Sequence, residues 1–140
     1  MVQGLSHMTF VVRDLDRMEE ILTRVLDARK VYDSGEATFS LSRERFFLVG
    51  EGPEPVWIAI MEGEPLPARS YNHVAFRVEA GRLGEYSDRI AALGLPVREA
   101  RSRVEGEGQS IYFHDEDNHL FELHAGTLED RLARYARGPG

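Results

Sequence analysis

Apolar and polar positions along the 140-residue chain follow one pattern twice. His7 to Val12 is a short, largely apolar run of strand length. The next apolar residues, Leu15, Met18, Leu22, Val25 and Leu26, fall three or four apart, the spacing of one helix face. Asp14 stands just ahead of them, placed to cap the helix by accepting from a backbone N–H of its first turn. This strand–helix unit is complete near Ala28. Segments 31–32, 38–41, 46–49 and 56–61 are rich in β-branched and aromatic residues. Gly35, Gly50 and Gly52-Pro53-Glu54-Pro55 separate them, which predicts three or four short strands.

After the stiff Pro65-Leu66-Pro67 connection the pattern restarts. A strand over 72–78 leads to a helix with Leu83, Tyr86, Ile90 and Leu93 on one face, stopped by Gly94. These four match Leu15, Met18, Leu22 and Val25 at one constant offset. Strands near 96–98, 109–113 and 119–123 follow, with Asp115-Glu116-Asp117-Asn118 as a hairpin turn. Thr127 opens a last helix, with Asp130 reaching back to it and Leu128, Leu132 and Tyr135 as its apolar stripe. The expected fold is α+β: a single domain over 1–140, with βαβββ modules at about 1–64 and 68–126 forming a cupped mixed sheet, and a C-terminal helix at 127–137.

Composition narrows the function. At 42% apolar residues, a chain of this length buries a core without disulfide or metal staples. Its 24 acidic and 17 basic residues give a net charge of -7, which weighs against nucleic acid and anionic membranes as partners. No run approaches the roughly 20 apolar residues of a spanning helix, and no export-type leader opens the sequence. A cytoplasmic protein acting on a small molecule is expected. The chain has no cysteine, so a bound metal would be held by imidazole and carboxylate, and a thiol nucleophile is excluded.

The chemistry-bearing residues sit at matching places of the repeat. His7 begins the first strand of module one and His73 that of module two, while Glu122 lies on a third strand-like run. A lone histidine at a strand start is usually a hydrogen-bonded packing residue. Two at equivalent places in modules paired about a pseudo-twofold would point into one cavity, with Glu122 as third ligand. Aligning 56–63 with 119–126 at their terminal glycines sets Ala59 opposite Glu122. The symmetric fourth ligand is missing, which leaves a metal open to water or substrate. These donors suit Mn²⁺, Fe²⁺, Co²⁺, Ni²⁺ or Zn²⁺. His124, two residues beyond Glu122 and on the same strand face, is a rival ligand. His114 and His119 read as ordinary surface residues beside the turn, which lacks the glycine of a calcium loop.

Gly4-Leu5-Ser6-His7, Tyr71-Asn72-His73, Gly106-Glu107-Gly108-Gln109-Ser110-Ile111-Tyr112-Phe113, Asp117-Asn118-His119-Leu120-Phe121-Glu122-Leu123-His124-Ala125-Gly126-Thr127-Leu128-Glu129 and Arg131-Leu132 together carry a resemblance. Over essentially the whole chain the sequence resembles the vicinal oxygen chelate superfamily, of glyoxalase-like fold, and within it the fosfomycin epoxide hydrolases. The resemblance implies Mn²⁺ on His7, His73 and Glu122. It also implies a domain-swapped homodimer in which His7 comes from one subunit and His73 and Glu122 from the other. Fosfomycin is the implied substrate and water the co-substrate, with the oxirane opened to a vicinal diol phosphonate, which gives antibiotic resistance.

Glu44 matches the general base that activates the water. Thr9, Ser110, Tyr112 and Arg131 match phosphonate contacts, Arg101 matches a further cationic contact with Arg103 as its alternative, and Trp57 matches an aromatic lining residue. Read from composition alone, Glu44 and Arg131 are solvated residues, and Trp57 suits core packing equally well. A thiol (glutathione) transferase on the same scaffold, or a non-catalytic small-molecule binding protein, are the alternatives.

Overall fold

The computed structural model describes residues 1–100 and 108–139, arranged in two compact units, Met1–Ala68 and Arg69–Gly140. The first unit runs β1 (His7–Val12), α1 (Leu15–Leu26), β2 (Arg29–Asp33), β3 (Glu44–Val49) and β4 (Val56–Glu62). Its sheet has the order β1-β4-β3-β2, with β1 parallel to β4 and the other pairs antiparallel. Asp14 caps α1 as expected, its Oδ1 accepting from the Arg17 N–H at 3.0 Å. The expected apolar stripe, joined by Ile21, is buried against β3 and β4. Phe10, Val12, Phe47, Ile58 and Ile60 supply the sheet side of this core, each such side chain contributing roughly 1.5–3 kcal/mol on burial. Arg45 also lies on the helix side, bonded to Asp16 and Glu19 of α1 at 2.9 and 3.0 Å.

Segment 38–41 is not the strand its composition predicts. Phe39 is 77% and Leu41 89% exposed. β3 already lies between β2 and β4, so both its edges are taken, and without a partner edge two apolar residues do not make a strand. β3 in turn starts at Glu44, two residues before the predicted start.

The second unit repeats the plan: β5 (His73–Arg77), α2 (Leu83–Ala92), β6 (Val97–Ala100), β7 (Gln109–His114), β8 (Leu120–Ala125), then α3 (Leu128–Tyr135). The order is β5-β8-β7-β6, with β5 parallel to β8. Tyr86 and Ile90 of α2 are buried, and so are Ile111, Phe113, Phe121 and Leu123 on the sheet. Gly94, at φ +75°, takes the left-handed turn beyond α2 that a β-carbon would strain. Thr127 caps α3 by accepting from the Asp130 N–H at 3.1 Å. The α3 stripe of Leu128, Leu132 and Tyr135 is exposed. Among the described residues no helix is long and apolar enough to cross a membrane.

Candidate metal and substrate site

In the first unit the strand register decides which side chains share a surface. On the face away from α1 it sets three cross-strand rows: His7, Trp57 and Leu48; Thr9, Ala59 and Phe46; Val11, Met61 and Glu44. Three of the four expected site residues here, His7, Thr9 and Trp57, occupy the first two rows. Glu44 is on the same face in the third row, about 13 Å from the His7 row in the strand direction. The His7 ring stacks on Trp57 with centroids 4.2 Å apart, and its Nδ1 lies 3.0 Å from Ser6 Oγ. The buried Trp57 Nε1–H has no hydrogen-bond partner.

In the second unit the face away from α2 carries His73, Leu120 and His114 in one row, and Ala75, Glu122 and Tyr112 in the next. Arg77, His124 and Ser110 form the third. Thr9 thus stands to Ala59 as Ala75 stands to Glu122. The register reproduces the sequence alignment, and the carboxylate of the second unit is replaced in the first by a methyl group.

Glu122 is 5% exposed, too deep for a carboxylate to remain unpartnered. Its Oε1 lies 3.0 Å from His73 Nε2. Its Oε2 lies 2.5 Å from Ser110 Oγ, which is itself 2.6 Å from His124 Nδ1. The other ring nitrogen of His73, Nδ1, is 2.7 Å from the Tyr71 carbonyl oxygen. A carbonyl only accepts, so Nδ1 carries a proton and Nε2 is the nitrogen turned toward Glu122. The 3.0 Å between Nε2 and Oε1 is also the separation of two ligand atoms bound at right angles about 2.1 Å from one cation. Backbone or hydroxyl engagement of Nδ1, with Nε2 presented outward, is the usual way a protein orients an imidazole ligand. The donor set therefore fits a divalent metal. Among the described residues no group of three or more His, Asp or Glu side chains is placed so that it could hold one metal ion. His7 and the His73–Glu122 pair belong to different units.

His124 meets Glu122 on the oxygen opposite His73 and presents Nδ1 to Ser110, a supporting position for the rival ligand. Ser110 has one hydroxyl proton, already aimed at Glu122 or His124. The Tyr112 hydroxyl lies 3.2 Å from that of Tyr71. Burial, then the Tyr71 hydroxyl and the Glu122 charge, keep the Tyr112 phenol protonated well above its ordinary range. Arg131 is half-buried on α3. Arg101 and its alternative Arg103 lie outside the described residues.

The other two histidines are not the surface residues expected. His119 Nδ1 is 2.7 Å from Asp115 Oδ2, and Asp115 Oδ1 accepts the Asp117 and His119 N–H groups. Asp115 is 2% exposed, so the acidic turn is tied from inside. His114 has a buried Nε2 with no hydrogen-bond partner, and burial is the main cause holding its imidazole below the ordinary range. Turn composition does not reveal this, because depth comes from the strands on either side. Sequence reasoning also missed the contact made by Tyr71, whose backbone carbonyl meets the His73 ring and carries no residue-type signal.

A family model described as the glyoxalase/bleomycin resistance protein/dioxygenase superfamily matches residues 4–123. The chain belongs to this superfamily. Within the glyoxalase/bleomycin resistance protein/dioxygenase superfamily it is 59% identical over 138 residues to the fosfomycin resistance protein FosX of Mesorhizobium japonicum, covering 99% of this chain and 96% of that one. The FosX of Listeria innocua is 54% identical over 135 residues, covering 96% and 98%. Among solved structures, a Glu-to-Gln variant of FosX from Listeria monocytogenes, complexed with Mn(II) and 1S,2S-dihydroxypropylphosphonic acid, matches with a TM-score of 0.85. It is 49% identical and covers 96% of this chain and 99% of that one. The superfamily fold of two four-stranded mixed sheets is the one described above.

Proposed function

We propose that this protein is a manganese-dependent fosfomycin epoxide hydrolase that confers resistance by opening the oxirane with water to a vicinal diol phosphonate. The observation that carries the reading is the His73–Glu122 pair at 3.0 Å, with the His73 Nδ1 proton engaged by Tyr71, in a chain 59% identical to a fosfomycin resistance protein. The dihydroxypropylphosphonic acid bound by the Listeria monocytogenes relative is what fosfomycin becomes when water adds across its ring.

Bound Mn²⁺ would supply Lewis acidity at the oxirane oxygen and positive charge beside the phosphonate. His7, His73 and Glu122 would hold it, and Ala59 adds no fourth side-chain donor. In the symmetric homodimer that belongs to this proposal, His7 comes from one subunit and His73 and Glu122 from the other. The Glu44 carboxylate takes a proton from water as the water oxygen bonds to a ring carbon. The C–O bond of the ring breaks, the ring oxygen gains a proton, and Glu44 returns its proton to solvent. Thr9, Tyr112 and Arg131 hold the phosphonate with donors and charge. Ser110 reaches it only by giving up one of its present bonds, and Arg101 adds the second cation. Trp57 lines the site through its stack on His7.

The deciding experiment is phosphorus NMR of fosfomycin incubated with Mn²⁺-loaded protein, with and without glutathione. Diol in both arms is expected. A glutathione adduct without diol would identify a thiol transferase, and fosfomycin left intact would identify a binding protein. Glu44→Gln is expected to bind Mn²⁺ and fosfomycin while losing hydration.

A further inference from the structure

We propose that Ser34 is a positioning residue for Glu44, setting the direction of the catalytic carboxylate by bonding its backbone on both sides. The inference rests on the reading of Glu44 as the base. The last paired residues of the β2–β3 ladder are Asp33 and Arg45. One step further, the Ser34 N–H donates to the Glu44 carbonyl at 3.0 Å, as a ladder residue would. The return bond is different: the Glu44 N–H donates at 3.0 Å to the Ser34 hydroxyl oxygen rather than to its carbonyl. The Ser34 carbonyl is thereby released to accept from the Ala37 N–H at 3.1 Å, which turns the chain out into the 35–43 loop. A side chain has replaced one backbone acceptor, so the strand partner can leave while Glu44 stays tied.

The residues on either side of Glu44 are fixed independently. Arg43 is bonded through Nη2 and Nε to the two Glu62 oxygens, and its carbonyl accepts the Glu62 N–H at 3.1 Å. Arg45 is held by Asp33, Asp16 and Glu19. The peptide plane entering Glu44 is held at both edges, the Arg43 carbonyl by the Glu62 N–H and the Glu44 N–H by the Ser34 hydroxyl. A residue without a side-chain acceptor at position 34 would leave the Glu44 N–H without this partner at the mouth of an exposed loop. Threonine keeps the hydroxyl.

The test compares Ser34→Ala, Ser34→Thr and Ser34→Cys in the Mn²⁺-loaded full chain, each in the native and the Glu44→Gln background. Hydration kinetics, Mn²⁺ affinity and thermal melting are measured for each. Ser34→Ala is expected to lower kcat by about tenfold to a hundredfold, the scale of an ångström-level misplacement of a catalytic group. KM and Mn²⁺ affinity are expected to be unchanged, Ser34→Thr to restore most of kcat, and Ser34→Ala to add no loss to Glu44→Gln. If Ser34→Ala fails to fold, Ser34→Cys, with its weak acceptor, carries the same comparison. Native kcat in Ser34→Ala, or the same fractional loss in both backgrounds, overturns the inference. Native turnover in Glu44→Gln alone overturns instead the reading of Glu44 on which it rests.

Discussion

A carboxylate as buried as Glu122 must have each oxygen matched, and in this protein the two oxygens have different partners. His73 faces Oε1, and Ser110 with His124 behind it faces Oε2. The candidate ligand was legible from its place in the repeat. Its support was not, because Ser110 lies twelve residues away in sequence and meets Glu122 only through the β7–β8 register. Removing a hydrogen-bond partner of a metal ligand typically weakens metal binding 10–100-fold. Ser110→Ala is therefore expected to raise the Mn²⁺ dissociation constant by about that factor, with the melting temperature of the metal-free protein little changed. Titration followed by electron paramagnetic resonance of free Mn²⁺ checks this, and an unchanged constant would assign Ser110 to the phosphonate alone.

His114 makes a second prediction at this scale. Burial lowers its folded-state pKa below the unfolded value of 6.5, with the charges of Arg69 and Arg98 acting in the same sense and Asp115 opposing them. Below pH 6.5 the unfolded chain gains a proton that the folded chain resists. The stabilising contribution is thus complete above pH 6.5 and declines as pH falls toward the folded pKa. Urea unfolding at pH 7.5 and 5.5 should show a smaller loss of stability on acidification in His114→Gln than in the native protein.

At the scale of elements, periodicity was reliable where an element carries its own signal. α1 occupies the predicted span because its stripe and its Asp14 cap are both local. Asp14→Ala is expected to cost ~1 kcal/mol, seen as a fall of about 3 °C in melting temperature. A drop below half a degree would mean that packing alone sets the start of α1. Strands were less legible because a strand ends where its partner ends. Segment 38–41 has strand-forming residues but no ladder, whereas Glu44 and Arg45, polar and flanked by charge, join β3 because Met61 and Ile60 of β4 lie opposite. That extension puts Glu44 on the His7 face rather than in a loop. Gly108 reveals a further tertiary demand: an added β-carbon would stand 2.2 Å from the Ala125 carbonyl oxygen, so only glycine lets β7 begin this close to β8.

At the scale of the whole molecule, each unit carries part of the proposed ligand set: His7 in one, His73 and Glu122 in the other. In a symmetric dimer that exchanges these sets, mixed dimers of His7→Ala and His73→Ala hold one intact site and one doubly broken site. Refolding the two inactive variants together at equal amounts is expected to restore about a quarter of native hydrolysis, since half the dimers are mixed and each has one of its two sites. Sites built within single subunits would yield no recovery in this assay. The sequence by itself determined the doubled βαβββ plan, the absence of a protein thiol and the three metal-ligand candidates, because apolar spacing, residue identity and repeat position are read directly along the chain. Only the tertiary structure decided that Ser110 meets Glu122 and that the Ser34 hydroxyl ties the Glu44 N–H. Both depend on which residues the strand pairing sets side by side, and that pairing is fixed by packing between segments distant in sequence.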